Sequence, residues 1–158
     1  MNRMFRFNIL LLAFALLPTH LIQAQGDPDI EAKFVAMLKS ATLKGTWAPI
    51  QQGQLGGENS DDSYRIARVE RLEGDNWQIV SLFDFEGQSI EYPISAVVKF
   101  AGDTAVLILN DVRAGPGEGN WSARVMFHND VYAGRWWETA DPEHGGTIAG
   151  TITRSPGD

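Results

Sequence analysis

The residues of this chain that could do chemistry are mostly acids, and the densest group of them lies between residues 138 and 144. This segment holds Glu138, Asp141, Glu143 and His144. Carboxylates and carbonyls in a loop are the usual ligands of a hard cation such as Ca²⁺. The spacing is not that of an EF-hand, however, and Asp-Pro-Glu-His-Gly-Gly is itself a good turn sequence. We therefore predict a turn here, with no metal and no other cofactor.

Motifs for catalysis are missing from the sequence. There is no cysteine and no Gly-x-Ser-x-Gly pattern, so no activated nucleophile is indicated. Glycoside hydrolysis would need two carboxylates held about 5–9 Å apart. The candidates Asp84, Asp111 and Glu138 fall on different predicted strands, and acids at strand ends usually face water. We predict that the protein is not an enzyme; an enzyme that acts on an envelope glycan through Glu138 is kept as the third alternative.

Tryptophan is the other conspicuous residue type. The five are Trp47, Trp77, Trp121, Trp136 and Trp137. Core packing is the ordinary role of such side chains. Trp136 and Trp137 are adjacent in a predicted strand, however, so they must point to opposite faces. The inward one brings a charge with it, Glu138 if it is Trp136 or Arg135 if it is Trp137, and a buried charge needs a partner. This strand is therefore predicted to form the wall of a ligand pocket.

The first 24 residues are typical of a secretory signal peptide rather than of a folded element. Arg3 and Arg6 form a positive start, an apolar run covers residues 9–17, and Ile22-Gln23-Ala24 precedes a plausible cleavage point. The run has about half of the ~20 apolar residues that a membrane-spanning helix needs. We predict that residues 1–24 are removed and that the protein is secreted or periplasmic.

Charge and cysteine content exclude several classes of partner. Removal of residues 1–24 takes away Arg3 and Arg6 but no acid, so the formal net charge falls from −7 to −9. Such an acidic protein repels nucleic-acid phosphates and anionic lipid heads. Without cysteine there is no disulfide framework, so stability must come from a core. We expect no nucleic-acid partner and no membrane insertion, and leave the oligomeric state open.

The hydrophobic period divides the rest of the chain into a helix and a series of strands. Asp27-Pro28-Asp29 is a typical helix start, and apolar residues then recur at helical spacing, which predicts an amphipathic helix within 25–41. From residue 42 the period is two. The predicted strands are 44–51, 63–73, 76–85, 90–100, 104–112, 120–128, 131–139 and 146–154. The polar segment 52–62 is expected to form a mobile loop at a rim, and 155–158 a disordered tail.

These strands predict an all-β fold, an eight-stranded antiparallel up-and-down barrel over residues 42–154. The connections are too short for crossover helices, so neighbouring strands must pair antiparallel. The run 104–112 is apolar on both faces, and the N-terminal helix is expected to cover its outer side. Charges such as Arg65, Lys99 and Arg124 occur on both faces of the strands. They argue for a water-soluble barrel and against an outer-membrane one.

The alternation of residues along the strands predicts which side chains face the barrel interior. Large and small residues interleave on the inner face, as a tapering small barrel requires. The candidate ligand-binding residues are Trp77, Phe83, Trp121, Phe127, Trp136 and Glu138.

The plan resembles that of the calycins, the lipocalin and avidin barrels. The resemblance is carried by Gly45-Thr46-Trp47 on the first strand, the meander of eight strands, and Arg154 on the last. In lipocalins a Gly-x-Trp tryptophan packs against an arginine from a late strand. The resemblance therefore implies a structural cation–π contact between Trp47 and Arg154. The lipocalin Thr-Asp-Tyr-like turn has no counterpart here.

The chain is also similar to uncharacterised exported proteins of planctomycete-type bacteria. That resemblance rests on runs such as Tyr64-Arg-Ile-Ala-Arg-Val69, Ala123-Arg-Val-Met-Phe127 and Tyr132-Ala-Gly-Arg-Trp136. It implies a shared fold and export, and no chemistry.

Two functions follow as expectations. The first is a barrel that binds a small apolar or aromatic ligand in its interior, because the mouths of barrels are favoured places for pockets. The second is a non-catalytic structural or interaction module of the bacterial cell envelope with a filled core. The volume inside the barrel separates them.

Overall fold

The structure, a computed structural model, describes residues 27–113 and 119–154. The predicted signal peptide 1–24 and the predicted tail 155–158 lie outside the described residues. Within the described ranges there is no helix long and apolar enough to cross a membrane.

Helix α1 (Pro28–Leu38) begins as the sequence predicts. The Asp27 carboxylate accepts a hydrogen bond from the Asp29 amide at 3.0 Å, and Pro28 occupies the first turn, where its missing N–H costs nothing. The end comes earlier than predicted, because Lys39 already has an extended backbone with ψ of 126°, and Ser40 follows with a φ of 49°. Ala41 therefore opens the first strand instead of closing the helix.

Nine strands follow, and eight of them close into the predicted antiparallel barrel. They are β1 (Ala41–Gln51), β2 (Gln54–Leu55), β3 (Ser60–Arg71), β4 (Asn76–Phe85), β5 (Gln88–Ala101), β6 (Thr104–Val112), β7 (Trp121–His128), β8 (Val131–Glu138) and β9 (Asp141–Arg154). Each pairs with the next, except that the two-residue β2 pairs only with the end of β1. Pairing of β1 with β9 closes the barrel. The eight-stranded fold class is confirmed.

Short hairpins set the register of neighbouring strands. At the β7–β8 turn both Asn129 and Asp130 have positive φ, as a two-residue type I′ turn requires. Glu86 and Gly87 do the same between β4 and β5. The loop predicted at 52–62 is shorter than expected, because Gln54–Leu55 form a strand and β3 already begins at Ser60.

Glycines let the backbone pack closely where β8, β9 and β1 meet. The register aligns Tyr132 on β8 with Gly150 on β9, and Gly150 with Gly45 on β1. A Cβ on Gly150 would lie 2.2 Å from the Lys44 carbonyl oxygen and 2.6 Å from the Gly45 Cα. Glycine inside a strand often marks such a close backbone approach or a bend at a barrel corner.

Helix α1 closes one end of the barrel. Phe34 is 2% exposed, and its ring packs edge-on against Trp77, Phe100 and Phe127 at centroid distances of 5.6–5.9 Å. These three residues lie on the inner face, where β4 begins and β5 and β7 end.

The expectation that the helix covers the outer face of β6 is wrong. Its buried residues Phe34 and Leu38 belong to the inner core cluster. Val106 and Ile108, which alternate with the inward Ala105 and Leu107, remain half-buried. The helix lies on the end of the barrel because its two buried apolar residues fill that opening.

Arg154 links three elements at the helix end of the barrel. Its guanidinium donates to both Asp130 carboxylate oxygens, at 2.7 and 3.0 Å, and to the Met37 carbonyl oxygen at 3.1 Å. The last strand, the β7–β8 turn and the last turn of the helix are thus joined by one side chain. A cation at a helix C-terminus also complements the helix dipole.

The predicted contact between Trp47 and Arg154 is not formed. The β1–β9 register pairs Ala41 with Arg154 but Trp47 with Ile148, so the two side chains lie about 20 Å apart along the strand. Trp47 instead packs on Trp136, with ring centroids 5.8 Å apart. The partner of Arg154 is the Asp130 carboxylate instead of a tryptophan ring.

The Asp130–Arg154 pair makes stability depend on pH. Hydrogen bonding to Arg154 lowers the pKa of Asp130. Its folded pKa is thus below the unfolded value of about 3.9, so the pair stabilises the fold above that pH and its contribution is lost as the pH falls through the folded pKa. The variant Asp130→Asn should lose up to about 1 kcal/mol of unfolding free energy at pH 7, because both side chains are partly exposed.

Urea unfolding at several pH values tests this. The difference between the wild type and Asp130→Asn should disappear in strongly acidic buffer. The control Glu73→Gln, at an exposed turn residue, should show no comparable difference at pH 7. A deficit of Asp130→Asn that persisted unchanged at acidic pH would contradict the assignment.

Candidate functional site

The interior of the barrel contains an apolar cavity of about 320 Å³. Side chains from α1 and from the strands β1 and β3–β9 line it, so it lies on the barrel axis. The lining consists of Leu38, Leu43, Tyr64, Ile66, Ile79, Ser81, Ile94, Leu107, Leu109, Trp121, Ser122, Ala123, Val125, Phe127, Tyr132, Trp136 and Ile148. Only the two serines and the two tyrosines carry polar groups other than the indole N–H.

The cavity has a closed floor and an aromatic rim. Leu38, 1% exposed, forms the floor at the helix end. At the opposite end the rings of Trp47, Trp121 and Trp136 pack against one another, with Trp136 in the middle at 5.8 and 5.2 Å. All three are only half-buried. The rim is therefore where the interior comes closest to solvent.

The structure brings three of the six predicted ligand-binding residues to the cavity. Trp121, Phe127 and Trp136 line it. Trp136 belongs to β8, the strand that the paired tryptophans indicated, and the other two belong to the neighbouring β7.

The other three predicted residues are not part of the lining. Trp77 lies deeper, covered by Phe34 of the helix. Phe83 packs on Tyr92 near the rim, with ring centroids 5.8 Å apart. Glu138 is at the rim, where an oxygen of its carboxylate lies 3.2 Å from Nδ1 of His144. Strand alternation gave the right face for these side chains, but it could not give their depth along the axis.

The orientation of the paired tryptophans is now defined. Trp136 faces the cavity and Trp137 faces outward. Outside the barrel the guanidinium groups of Arg124 and Arg135 lie 5.4 and 5.5 Å from the centroid of the Trp137 ring. These are cation–π distances. Of the two predicted alternatives, the charged neighbour of the inward tryptophan is thus Glu138 and not Arg135.

Acids considered for catalysis or metal binding are bonded to neighbours. Asp84 accepts hydrogen bonds from Arg65 and Ser89 on the outer face, and Asp111 accepts one from Asn120. The Asp141 carboxylate accepts from the Glu143 amide, as in an Asx turn. Across residues 27–113 and 119–154, no three acids or histidines come together as metal ligands.

Sequence reasoning missed a polar group beside the cavity. Tyr64 on β3 and Tyr132 on β8 line the cavity, and Asp62 on β3 lies next to Tyr64. The Tyr64 hydroxyl donates a short hydrogen bond to Asp62 Oδ2. The Tyr132 hydroxyl is buried and has no hydrogen-bond partner among the described residues. These residues are about 70 positions apart, and only the register of four strands brings them together.

Burial and the nearby Asp62 carboxylate raise the pKa of both tyrosine hydroxyls. Burial, together with the hydrogen bond to Asp62, raises the pKa of Tyr64. Burial, and then the charge of Asp62, also raises the pKa of Tyr132. Both hydroxyls therefore keep their protons at neutral pH and act as hydrogen-bonding groups rather than as bases.

Comparison with known proteins identifies no family for this chain. The closed eight-stranded antiparallel barrel is compatible with a calycin-like plan, a likeness that rests on topology alone. No protein-family model matches the sequence, and no solved structure gives a significant match.

Proposed function

We propose that this protein binds a small apolar or aromatic molecule inside its barrel. The observation that carries the proposal is the 320 Å³ cavity, whose walls are almost entirely apolar. Ligand pockets have this character, a mostly apolar lining with a few polar groups. A barrel of this size would otherwise fill its interior with side chains.

The size of the cavity limits the ligand. An apolar cavity of roughly 150 Å³ is known to hold benzene. The cavity here is about twice as large, which suits an aromatic molecule of two or three rings or an apolar chain of similar volume. Three half-buried tryptophans at the rim offer flat faces to such a molecule as it enters.

The proposal includes a location and a mode of action. The signal-like N-terminus supports export to the periplasm or the cell exterior. The acids considered for catalysis are already bonded to neighbouring groups, which supports a binding protein rather than an enzyme. An apolar compound is poorly soluble in water, so a barrel that encloses it has an evident use as a carrier or sensor outside the cell.

Filling the cavity tests the proposal. Ala123 faces the cavity between Trp121 and Val125 and is 6% exposed. Replacement by phenylalanine places a ring in the empty space. The neutral fluorescent probe N-phenyl-1-naphthylamine should bind the wild type saturably at one site. The variant Ala123→Phe should bind it at least about tenfold more weakly, because the cavity is occupied.

Met126→Phe is the matched control. Met126 lies on the same strand, faces outward and is 53% exposed. It should leave probe affinity unchanged. Circular dichroism melts confirm that both variants fold; Ala123→Phe should melt no lower than the wild type, because it fills a void. Probe binding that survived Ala123→Phe would place the site outside the barrel, and no saturable binding to the wild type would favour the structural-module alternative.

A further inference from the structure

One row of residues crosses four strands of the cavity wall. Tyr132 on β8 pairs with Gly150 on β9, Gly150 pairs with Gly45 on β1, and Gly45 pairs with Asp62 on β3. The two glycines have no side chain, so the Tyr132 ring can extend across them. A Cβ on Gly45 would lie only 2.7 Å from the Tyr132 hydroxyl oxygen. This hydroxyl therefore ends above Gly45, next to the strand that carries Asp62.

The Tyr132 hydroxyl is in an unusual state for a buried polar group. The residue is 1% exposed, and its oxygen has no hydrogen-bond partner among residues 27–113 and 119–154. Leaving a buried hydroxyl unpaired is unfavourable by about 1–3 kcal/mol, and most buried polar atoms find a partner. Because Tyr132 lines the cavity, a partner can come from a molecule inside it.

Asp62 provides acceptors beside this hydroxyl. Its Oδ2 accepts a hydrogen bond from the Tyr64 hydroxyl. Its Oδ1 accepts one from the Ser63 amide at 2.9 Å. A carboxylate has about four acceptor positions, so each oxygen can accept once more. The Tyr64 hydroxyl has used its proton and can only accept. Tyr132 therefore offers one donor to the cavity, and acceptors lie beside it on Tyr64 in the lining and on Asp62 next to Tyr64.

We infer that the ligand of this cavity carries a hydroxyl group, which accepts a hydrogen bond from Tyr132 and donates one to the Asp62 carboxylate. The inference rests on the proposed function and narrows it, from any apolar molecule to an apolar alcohol or phenol. A hydroxyl fits because it both donates and accepts. An anionic head such as a carboxylate does not fit, because Asp62 is an acceptor and repels it.

Three two-ring probes that differ only in the substituent test the inference. They are naphthalene, 2-naphthol and 2-methoxynaphthalene, each measured by displacement of N-phenyl-1-naphthylamine at neutral pH. On the wild type, 2-naphthol should bind about tenfold more tightly than 2-methoxynaphthalene, because only the phenol can donate to the carboxylate. Naphthalene reports on the apolar cavity alone.

The variant Tyr132→Phe keeps the ring and removes the hydroxyl. It should reduce the preference for 2-naphthol over 2-methoxynaphthalene several-fold. Its melting temperature should not fall, because the deleted hydroxyl has no partner among the described residues, whereas a merely structural hydroxyl would lower it. Tyr92→Phe is the matched control, a tyrosine near the rim and outside the row, and should keep the preference. Asp62→Asn should likewise reduce the preference for 2-naphthol over 2-methoxynaphthalene.

The outcomes separate this inference from the proposed function. If naphthalene binds but 2-naphthol has no advantage over 2-methoxynaphthalene on the wild type, the hydroxyl inference fails and the apolar cavity stands as a binding site. The hydroxyl inference also fails, and the cavity again stands, if the advantage survives Tyr132→Phe and Asp62→Asn undiminished. If none of the three probes displaces the dye or binds, the proposed function fails, and the inference fails with it.

Discussion

Replacement of Gly150 by alanine is expected to destabilise the barrel by at least about 3 kcal/mol or to prevent it from folding. A Cβ at this position would lie 2.2 Å from the Lys44 carbonyl oxygen and 2.6 Å from the Gly45 Cα. Both are backbone atoms of β1, so no side-chain rotation can relieve the contact. Overpacking that side chains can absorb typically costs about 1–3 kcal/mol, and here the strand itself would have to move.

Gly56→Ala is the control for the intrinsic effect of removing a glycine. A Cβ on Gly56 meets nothing within 4 Å, and Gly56 does not have positive φ. Its unfolding free energy in urea should stay within about 0.5 kcal/mol of the wild type or rise slightly. If Gly150→Ala unfolded at the same urea concentration as Gly56→Ala, the close approach of β9 and β1 would be wrong.

Truncation of Phe34 to alanine is expected to cost about 3–5 kcal/mol, the usual range for a buried phenylalanine. Phe34 makes ring contacts with three strands at the closed end, through Trp77, Phe100 and Phe127. Without its ring the helix loses its main apolar contact with the barrel. Chemical denaturation should show the loss, and amide hydrogen exchange of residues 28–38 should become faster.

Lys33→Ala, at the neighbouring exposed position, is the matched control and should change stability by less than about 0.5 kcal/mol. It alters the same helix without touching the core. Equal melting temperatures for Phe34→Ala and Lys33→Ala would show that the helix does not close the barrel. Probe binding adds a second readout, because Leu38 of the same helix forms the cavity floor.

Much of the fold could be predicted from local sequence patterns. The period-two alternation from residue 42 and turn residues such as Asn129-Asp130 are properties of a few consecutive residues, and they gave the eight strands and their antiparallel order. The N-cap at Asp27 is equally local. The helix position was harder, because an amphipathic face shows that a helix packs on something but not on which part of the barrel.

The site could be predicted only in part, for a related reason. Alternation along β7 and β8 indicated that Trp121, Phe127 and either Trp136 or Trp137 face inward. The depth of a side chain along the barrel axis depends on how the strands shift relative to one another. This shift separates Trp47 from Arg154, and it also places Trp77 beneath the helix. The row from Tyr132 to Asp62 depends on three successive registers, and no local pattern marks it.

The pairing of β1 with β9 has a consequence for the order of folding. Thr42 and Thr153, which share a hydrogen bond across this pair, are 111 residues apart in the chain. The sheet therefore cannot close until both β1 and β9 have been synthesised. Long-range pairing of this kind slows folding, to milliseconds or longer in typical β-proteins. Until β9 is present, most of one edge of β1 has no strand to pair with, and the sheet remains open.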